Sequence, residues 1–290
     1  MKALVTGATG KLGSQVMQSL LKKMPAEQLA VSVRNPDKAK DLKEAGVDVR
    51  RGDFDDPKSL DEAFAGVDRL LIISTDGDND TRIRQHTNAV EAAARAGVSF
   101  IAYTSIGHAE SSTMFLAPPH RAAENAIIET GIPHAFLRNN WYLENEVPGI
   151  QGAMNEAPWV TAAGNGRTGW ALQLDYAEAA AAALAGEGEQ QSVYELSGRP
   201  YTQDELVSVL GDVLGKEIPV QHVDDDEYAE IMKEAGMPET VVPMLVSIQQ
   251  GIRSGSLDIE SNDFEKLLGR PATPMHEALE HLVRTLPADS

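Results

Sequence analysis

In the first half of the chain, short apolar runs alternate with longer stretches whose apolar positions recur at helical spacing. Runs at 3–5, 29–33, 47–49, 70–74, 99–104 and 134–138 read as strands. The first helical stripe is Val16, Leu20 and Met24, with Met17 and Leu21 beside it, and Pro25 ends it. A short polar helix follows the turn at Asn35 and Pro36 and runs to Ala45, and others span 60–64, 84–96 and 121–130. Gly46, Gly66, Gly97 and Gly131 follow these helices, where a glycine takes the left-handed C-terminal position. Repeated strand–helix units of this kind predict an α/β fold with a doubly wound parallel sheet.

After residue 138 the rhythm changes. All three tryptophans, Trp141, Trp159 and Trp170, fall in one stretch of loops. Asp175 is the expected N-cap of an alanine-rich helix over 176–185. A strand is expected at 193–196, then a helix to Leu214 opened by the Thr202/Glu205 capping box. The remainder reads as mainly helical, with breaks at Pro219, Pro238 and Pro271. The expected organisation is a core over 1–150 and a smaller, mainly helical lobe over 151–290, partly continuous with the core. The lobe would cover the ligand edge of the sheet.

Composition narrows the classes. A formal net charge of −19 opposes binding to a nucleic-acid backbone, which needs a basic surface. The apolar runs are far shorter than the ~20 residues that span a bilayer, and the opening run is too short for a signal peptide. With no cysteine there is no disulfide framework and no thiolate chemistry, so the cytoplasm is the expected location.

Gly7, Gly10 and Gly13 follow the first strand and lead straight into the first helix. Glycines in that context let a backbone approach a dinucleotide pyrophosphate, which the N–H groups at the helix start would hold. A tight turn without ligand is the alternative. Arg34 lies directly after the second strand, where the adenosine ribose is read in such folds; an arginine there suits a 2′-phosphate. Asp53, after the third strand, is a candidate for the adenine amino group or a simple turn aspartate. Ser74 and Thr75 end the fourth strand, near the expected nicotinamide half.

The segments Gly7 to Gly13, Val33 to Pro36, Gly52-Asp53, Ala102 to Ser105 and Leu137 to Asn145 together resemble the NmrA-like family of atypical short-chain dehydrogenase/reductases, most nearly its quinone- and dye-reducing members. The likeness continues through Asp175 to Ala177, Tyr194 to Leu196 and Leu268 to Thr273, so it covers nearly the whole chain. It implies a Rossmann core holding NADP(H) through Gly7, Ala8, Thr9, Gly10, Lys11, Leu12, Arg34, Ser74, Thr75 and Asp76. The segment Arg138, Asn139, Asn140, Trp141, Tyr142 and Leu143 would line the nicotinamide side.

No tyrosine here has a lysine four residues on, so the Tyr-x-x-x-Lys proton-donor pair of the wider superfamily is missing. That suits a quinone, whose reduction gives a stabilised phenolate that water can protonate; a simple ketone would need the stronger acid. Tyr142 is the candidate beside a flat acceptor, with Trp141 as a further aromatic wall. His120 stands where relatives carry a lysine or histidine and is a candidate proton relay, or a helix-start histidine with no role. The expected activity is NADPH-dependent reduction of a small aromatic or quinone-like substrate. A cofactor-sensing regulator that docks on a protein partner, and a dye, imine or enone reductase, stay open, as does a homodimer.

Overall fold

The computed structural model describes residues 1–186 and 192–286. Seven parallel strands form the central sheet: β1 (Ala3–Thr6), β2 (Leu29–Val33), β3 (Asp48–Arg51), β4 (Arg69–Ile72), β5 (Phe100–Ile106), β6 (His134–Asn139) and, much later in the chain, β10 (Val193–Leu196). Their order is β10-β6-β5-β4-β1-β2-β3. The order reverses between β1 and β4, and such a switch point opens a crevice at the carboxyl ends of the strands. The strands read as continuous apolar runs because helices cover both faces.

The connecting helices are α1 (Lys11–Leu21), α2 (Lys40–Glu44), α3 (Pro57–Phe64), α4 (Asn79–Ala96) and α5 (Ala117–Thr130). α4 starts five residues before the expected position, because Asp78 caps it by accepting from the Thr81 amide at 2.9 Å. α5 also starts early, with Pro118 and Pro119 in its first turn, where a missing N–H costs nothing.

Beyond β6 come β7 (Trp141–Tyr142), α6 (Val147–Met154), β8 (Trp159–Thr161), β9 (Trp170–Ala171) and α7 (Gln173–Ala185). After β10 the chain adds α8 (Gln203–Leu214), β11 (Val220–His222), α9 (Asp225–Glu234), α10 (Val242–Arg253), α11 (Asp263–Leu268) and α12 (Met275–Thr285). Although α7 and β10 lie beyond residue 150, they belong to the core: β10 extends the sheet beside β6, and α7 packs on α1. The alanine-rich stretch from Ala179 to Ala183 is buried there, and its small side chains allow the two helices to approach closely. The lobe has its own core around Trp159, Trp170, Leu206, Leu210, Leu279 and Leu282. Among the described residues no helix is long and apolar enough to cross a membrane.

Three expectations need correction. Asp175 is not the cap of α7, which begins at Gln173. It lies inside the first turn, 1% exposed, and accepts from the amide and hydroxyl of Thr273, both at 3.0 Å. Arg270 pairs with it at 2.8 Å, so the chain segment after α11 is tied to α7. Trp141, Trp159 and Trp170 lie on β7, β8 and β9 and not in loops, whereas Pro219 does mark a break in the helical run, between α8 and α9, and precedes β11, which pairs in parallel with β8.

Arg138 on β6 is the third correction. Its guanidinium grips Glu124 of α5 side-on, with Nε donating at 3.0 Å and Nη2 at 2.7 Å. Nη1 reaches Glu195 of β10 at 3.0 Å and Nη2 reaches Glu110 at 3.2 Å. Ser105 donates to the same Glu124 carboxylate at 2.6 Å. Arg138 and Glu124 are both buried, and the carboxylates raise the arginine's proton affinity against the opposing effect of burial. With its donors shared among three carboxylates, Arg138 anchors α5 and the edge strand to β6; it is not a free cation for a cofactor. Removing one partner of a buried pair typically costs about 3–5 kcal/mol. Arg138→Met is expected to lose stability in that range by urea denaturation, and Arg138→Met with Glu124→Met to recover most of it. An equal loss in both variants would mean the pair is not what matters there.

Candidate active site

The site begins where β1 runs out. Gly7 takes a φ of +63°, turning the chain over the sheet edge, and its carbonyl accepts the Gly10 amide at 3.0 Å. Gly13, in the first turn of α1, lies against the same carbonyl; a Cβ there would stand 2.3 Å from the Gly7 oxygen and 2.8 Å from Ala8 Cα. Only glycine lets α1 start this close to the turn. α1 carries no side-chain cap and no acidic residue in its first turn. Its first amides therefore stand open at the positive end of the helix, an arrangement that suits an anion.

Arg34 is exposed just past β2, with no carboxylate within ion-pair distance among the described residues. Asp55 is near enough to feel its charge, but bonds to Arg84 and Gln85 instead. Asp53 is a turn residue: its Oδ1 accepts the Asp55 amide at 3.0 Å and its own amide donates to Ser59 Oγ at 2.9 Å. One carboxylate oxygen is thus committed locally.

The loop after β4 is held in an unusual way. Ladder bonding stops at Ile72, and the next three amides are met by side chains from three elements. Ile73 donates to Thr6 Oγ1 of β1 at 2.9 Å, Ser74 to Thr104 Oγ1 of β5 at 2.9 Å, and Thr75 to His86 Nε2 of α4 at 3.0 Å. Asp76 comes next, exposed.

Behind this loop lies a buried polar chain. His86 Nδ1 faces Tyr103 Oη at 3.3 Å, and the same oxygen is 3.0 Å from His120 Nδ1. Arg82 Nη2 lies 2.9 Å from His120 Nε2. An amide N–H and a guanidinium can only donate, so both Nε2 atoms accept. Both imidazoles are then neutral, with their protons on Nδ1; that of His120 is directed at Tyr103, and that of His86 is shared between Tyr103 and the Pro119 carbonyl. Burial, reinforced by the Arg82 charge and opposed by a bond to the Pro119 carbonyl, pushes His86 down to about 4. His120 is also held well below the ordinary histidine range by burial, Arg82 and His86. Burial raises the Tyr103 phenol strongly, against the pull of Arg82.

His120 is therefore a link in an interior chain, 7% exposed with both ring nitrogens engaged, and not a relay open to a substrate. From sequence, Tyr103 entered only within the Ala102 to Ser105 segment and among the tyrosines that lack a downstream lysine. His86 and Arg82 gave one signal: polar residues four apart on the stripe that carries Ala89, Val90 and Ala93 into the core.

The segment after β6 divides by role. Asn140 donates to Ser197 Oγ and the Leu257 carbonyl, both at 3.0 Å, and Leu143 is fully buried in the lobe core. Trp141 packs into the lobe between two apolar clusters. Asn139 and Tyr142 differ. Asn139 Nδ2 donates to Tyr142 Oη at 3.1 Å, while its own Oδ1 is buried and unpartnered. Because Tyr142 Oη accepts there, its proton remains available to another acceptor. The Tyr142 ring stands edge-on to Tyr176 at 5.0 Å and packs against the cluster that contains Ala8 and Leu12. Burial pushes its phenol up to about 12, with Asn139 opposing and Glu144 and Asp76 adding to the rise. Among the described residues no group of acidic or histidine side chains could hold a metal ion.

Residues 7–186 match the NAD(P)H-binding family model, and the chain belongs to that family. It is 38% identical over 279 residues to quinone oxidoreductase 2 of Escherichia coli, covering 96% of this chain and 97% of that protein. The structure of that NADPH-dependent enzyme with NADPH superposes with a TM-score of 0.91, at 38% identity over 97% of this chain and 99% of the other. The Citrobacter sp. triphenylmethane reductase complexed with NADP(H) gives a TM-score of 0.92 at 42% identity, covering 97% of this chain and all (100%) of the other. The doubly wound sheet and NADP(H) as cofactor follow. The open amides of the glycine turn, and Arg34 with no carboxylate partner among the described residues, have the chemistry to suit its phosphates.

The buried histidines make stability pH-dependent. The unfolded chain takes up protons near the ordinary histidine value of 6.5, whereas folded His86 does so only at about 4. Between these values the unfolded state binds more protons, so stability falls as pH drops, by up to about 1.4 kcal/mol per pH unit for each such histidine. Urea denaturation between about pH 7 and pH 5 is expected to show this fall, with a shallower slope in His86→Gln. An identical slope in that variant would mean His86 is not held neutral.

Proposed function

We propose that this protein is an NADPH-dependent reductase that transfers hydride to a quinone or a similarly flat, conjugated acceptor. The observation that carries this is the kind of acid the site offers. Tyr142 is held by Asn139 at 3.1 Å with its proton free, but burial pushes its phenol up to about 12. Such a group donates a hydrogen bond at neutral pH and is a poor proton donor. No lysine follows a tyrosine at the spacing that would strengthen it. An acceptor whose reduced form is a stabilised phenolate needs positioning more than proton transfer.

The nicotinamide, when bound, supplies the hydride. The protein's part is to bind and orient. The α1 amides take the pyrophosphate, Arg34 takes the 2′-phosphate, and the loop over Ser74, Thr75 and Asp76 flanks the nicotinamide half. Tyr142 offers a ring edge and a hydrogen bond at the far side. The quinone and dye reductase relatives support an acceptor of this flat, delocalised kind.

A steady-state panel tests this reading: small benzo- and naphthoquinones, a cationic triphenylmethane dye and an azo dye, each with NADPH and NADH. Turnover with quinones and a preference for NADPH are expected. Absence of NADPH oxidation across the whole panel would contradict the enzymatic reading.

A further inference from the structure

We propose that His86 is a positioning residue for the nicotinamide half of the cofactor, acting through the Thr75 amide from behind the loop. The inference rests on the reading above that NADP(H) lies over the strand ends, with its nicotinamide beside the β4 loop.

Ile73 and Ser74 are still close enough to β1 and β5 for the short side chains of Thr6 and Thr104 to accept their amides. Thr75 lies one residue further out. Its amide is met from α4, by the longer reach of an imidazole, and its hydroxyl lies 3.2 Å from the same Nε2. His86 is completely buried, on a helix face that it shares with Arg82 and with Ala89, Val90, Ala92 and Ala93. A leucine would fill such a place at no desolvation cost, so the ring's value lies in its bonds.

The ring cannot turn away from Thr75. Its Nδ1 proton is shared between the Pro119 carbonyl and Tyr103, whose oxygen is held in turn by His120, whose far nitrogen takes the Arg82 guanidinium. This chain joins α4, β5 and α5 behind a single backbone amide. Arg82 is 5% exposed, has no carboxylate within ion-pair distance among the described residues, and its Nε is buried without an acceptor. A cation in that position keeps the His120 lone pair pointed at itself and the His120 Nδ1 proton pointed at Tyr103, while the Thr75 amide itself fixes the His86 tautomer. Fixing the Thr75 amide fixes the course of the backbone into Asp76, the segment assigned to the nicotinamide side. The residues assigned to the adenine, the 2′-phosphate and the pyrophosphate follow β3, β2 and β1 and open α1, outside this chain.

The test compares two ligands. NADPH carries the nicotinamide; 2′-phospho-ADP-ribose keeps the adenine, 2′-phosphate and pyrophosphate but lacks it. His86→Leu removes the acceptor, His86→Gln restores one, and Tyr103→Phe removes the phenol oxygen without changing shape, which protects the test against a misfolded leucine variant. Loss of a buried acceptor is expected to weaken NADPH by about tenfold in His86→Leu. Tyr103→Phe should weaken it in the same direction, and His86→Gln should recover most of the loss. Affinity for 2′-phospho-ADP-ribose should stay within about twofold throughout. An equal loss for both ligands, unchanged NADPH affinity in His86→Leu and Tyr103→Phe, or a glutamine variant no better than leucine would overturn the assignment. A wild-type protein that binds neither ligand would instead overturn the cofactor reading beneath it.

Discussion

The close approach of Gly13 to the Gly7 carbonyl sets the geometry on which the other features of the site depend. With a Cβ denied room at 2.3 Å, α1 begins directly on the turn and points its uncapped N-terminus along the sheet edge. From there α1 lies across the core against the alanine face of α7, and α7 brings β10 to the far edge of the sheet. The switch between β1 and β4 opens next to the turn, so a tight backbone packing, a helix dipole and a crevice coincide.

A second constraint acts on the loops that leave the strand ends. Where ladder pairing ends, backbone N–H groups still require acceptors, and an unmet one in a buried setting costs about 1–3 kcal/mol. The fold meets this with side chains: Thr6, Thr104 and His86 for three successive amides, and Asp175 for the amide of Thr273. Arg138 does the corresponding work for charge, joining α5, β6 and β10 through Glu124 and Glu195. These bonds hold the backbone beyond the strand ends in place, which is the condition for a site relying on orientation.

Sequence made the strand–helix alternation and the strands at 29–33 and 193–196 legible, because period and glycine punctuation report local structure directly. The glycine turn and the place of Arg34 were legible for the same reason, since both follow directly on a strand; what they bind belongs to the proposal. The residues of the 138–143 segment were legible as a group but not by role. Arg138, Asn140, Trp141 and Leu143 go to structural contacts, while Asn139 and Tyr142 keep groups unspent. Nothing local distinguishes them, since the partners lie on α5, β10 and the lobe. The His86–Tyr103–His120–Arg82 chain was hidden for the same reason: its members come from two helices and a strand, and tertiary packing alone brings them together. Asp175 misled because an acidic residue before an alanine run satisfies the capping rule, while its real partner lies nearly a hundred residues on.

The cofactor assignment joins these levels: a turn that presents amides, a cation after β2 with no carboxylate partner among the described residues, and a loop stitched from behind. The most direct measurement is the affinity of the wild-type protein and of Arg34→Ala for NADPH and for NADH, taken side by side. A charge-assisted bond to the 2′-phosphate is worth about 1.5–3 kcal/mol, so the variant should lose roughly 10- to 100-fold for NADPH and little for NADH. An equal loss for both, or no loss for either, would contradict the placement of the 2′-phosphate at Arg34.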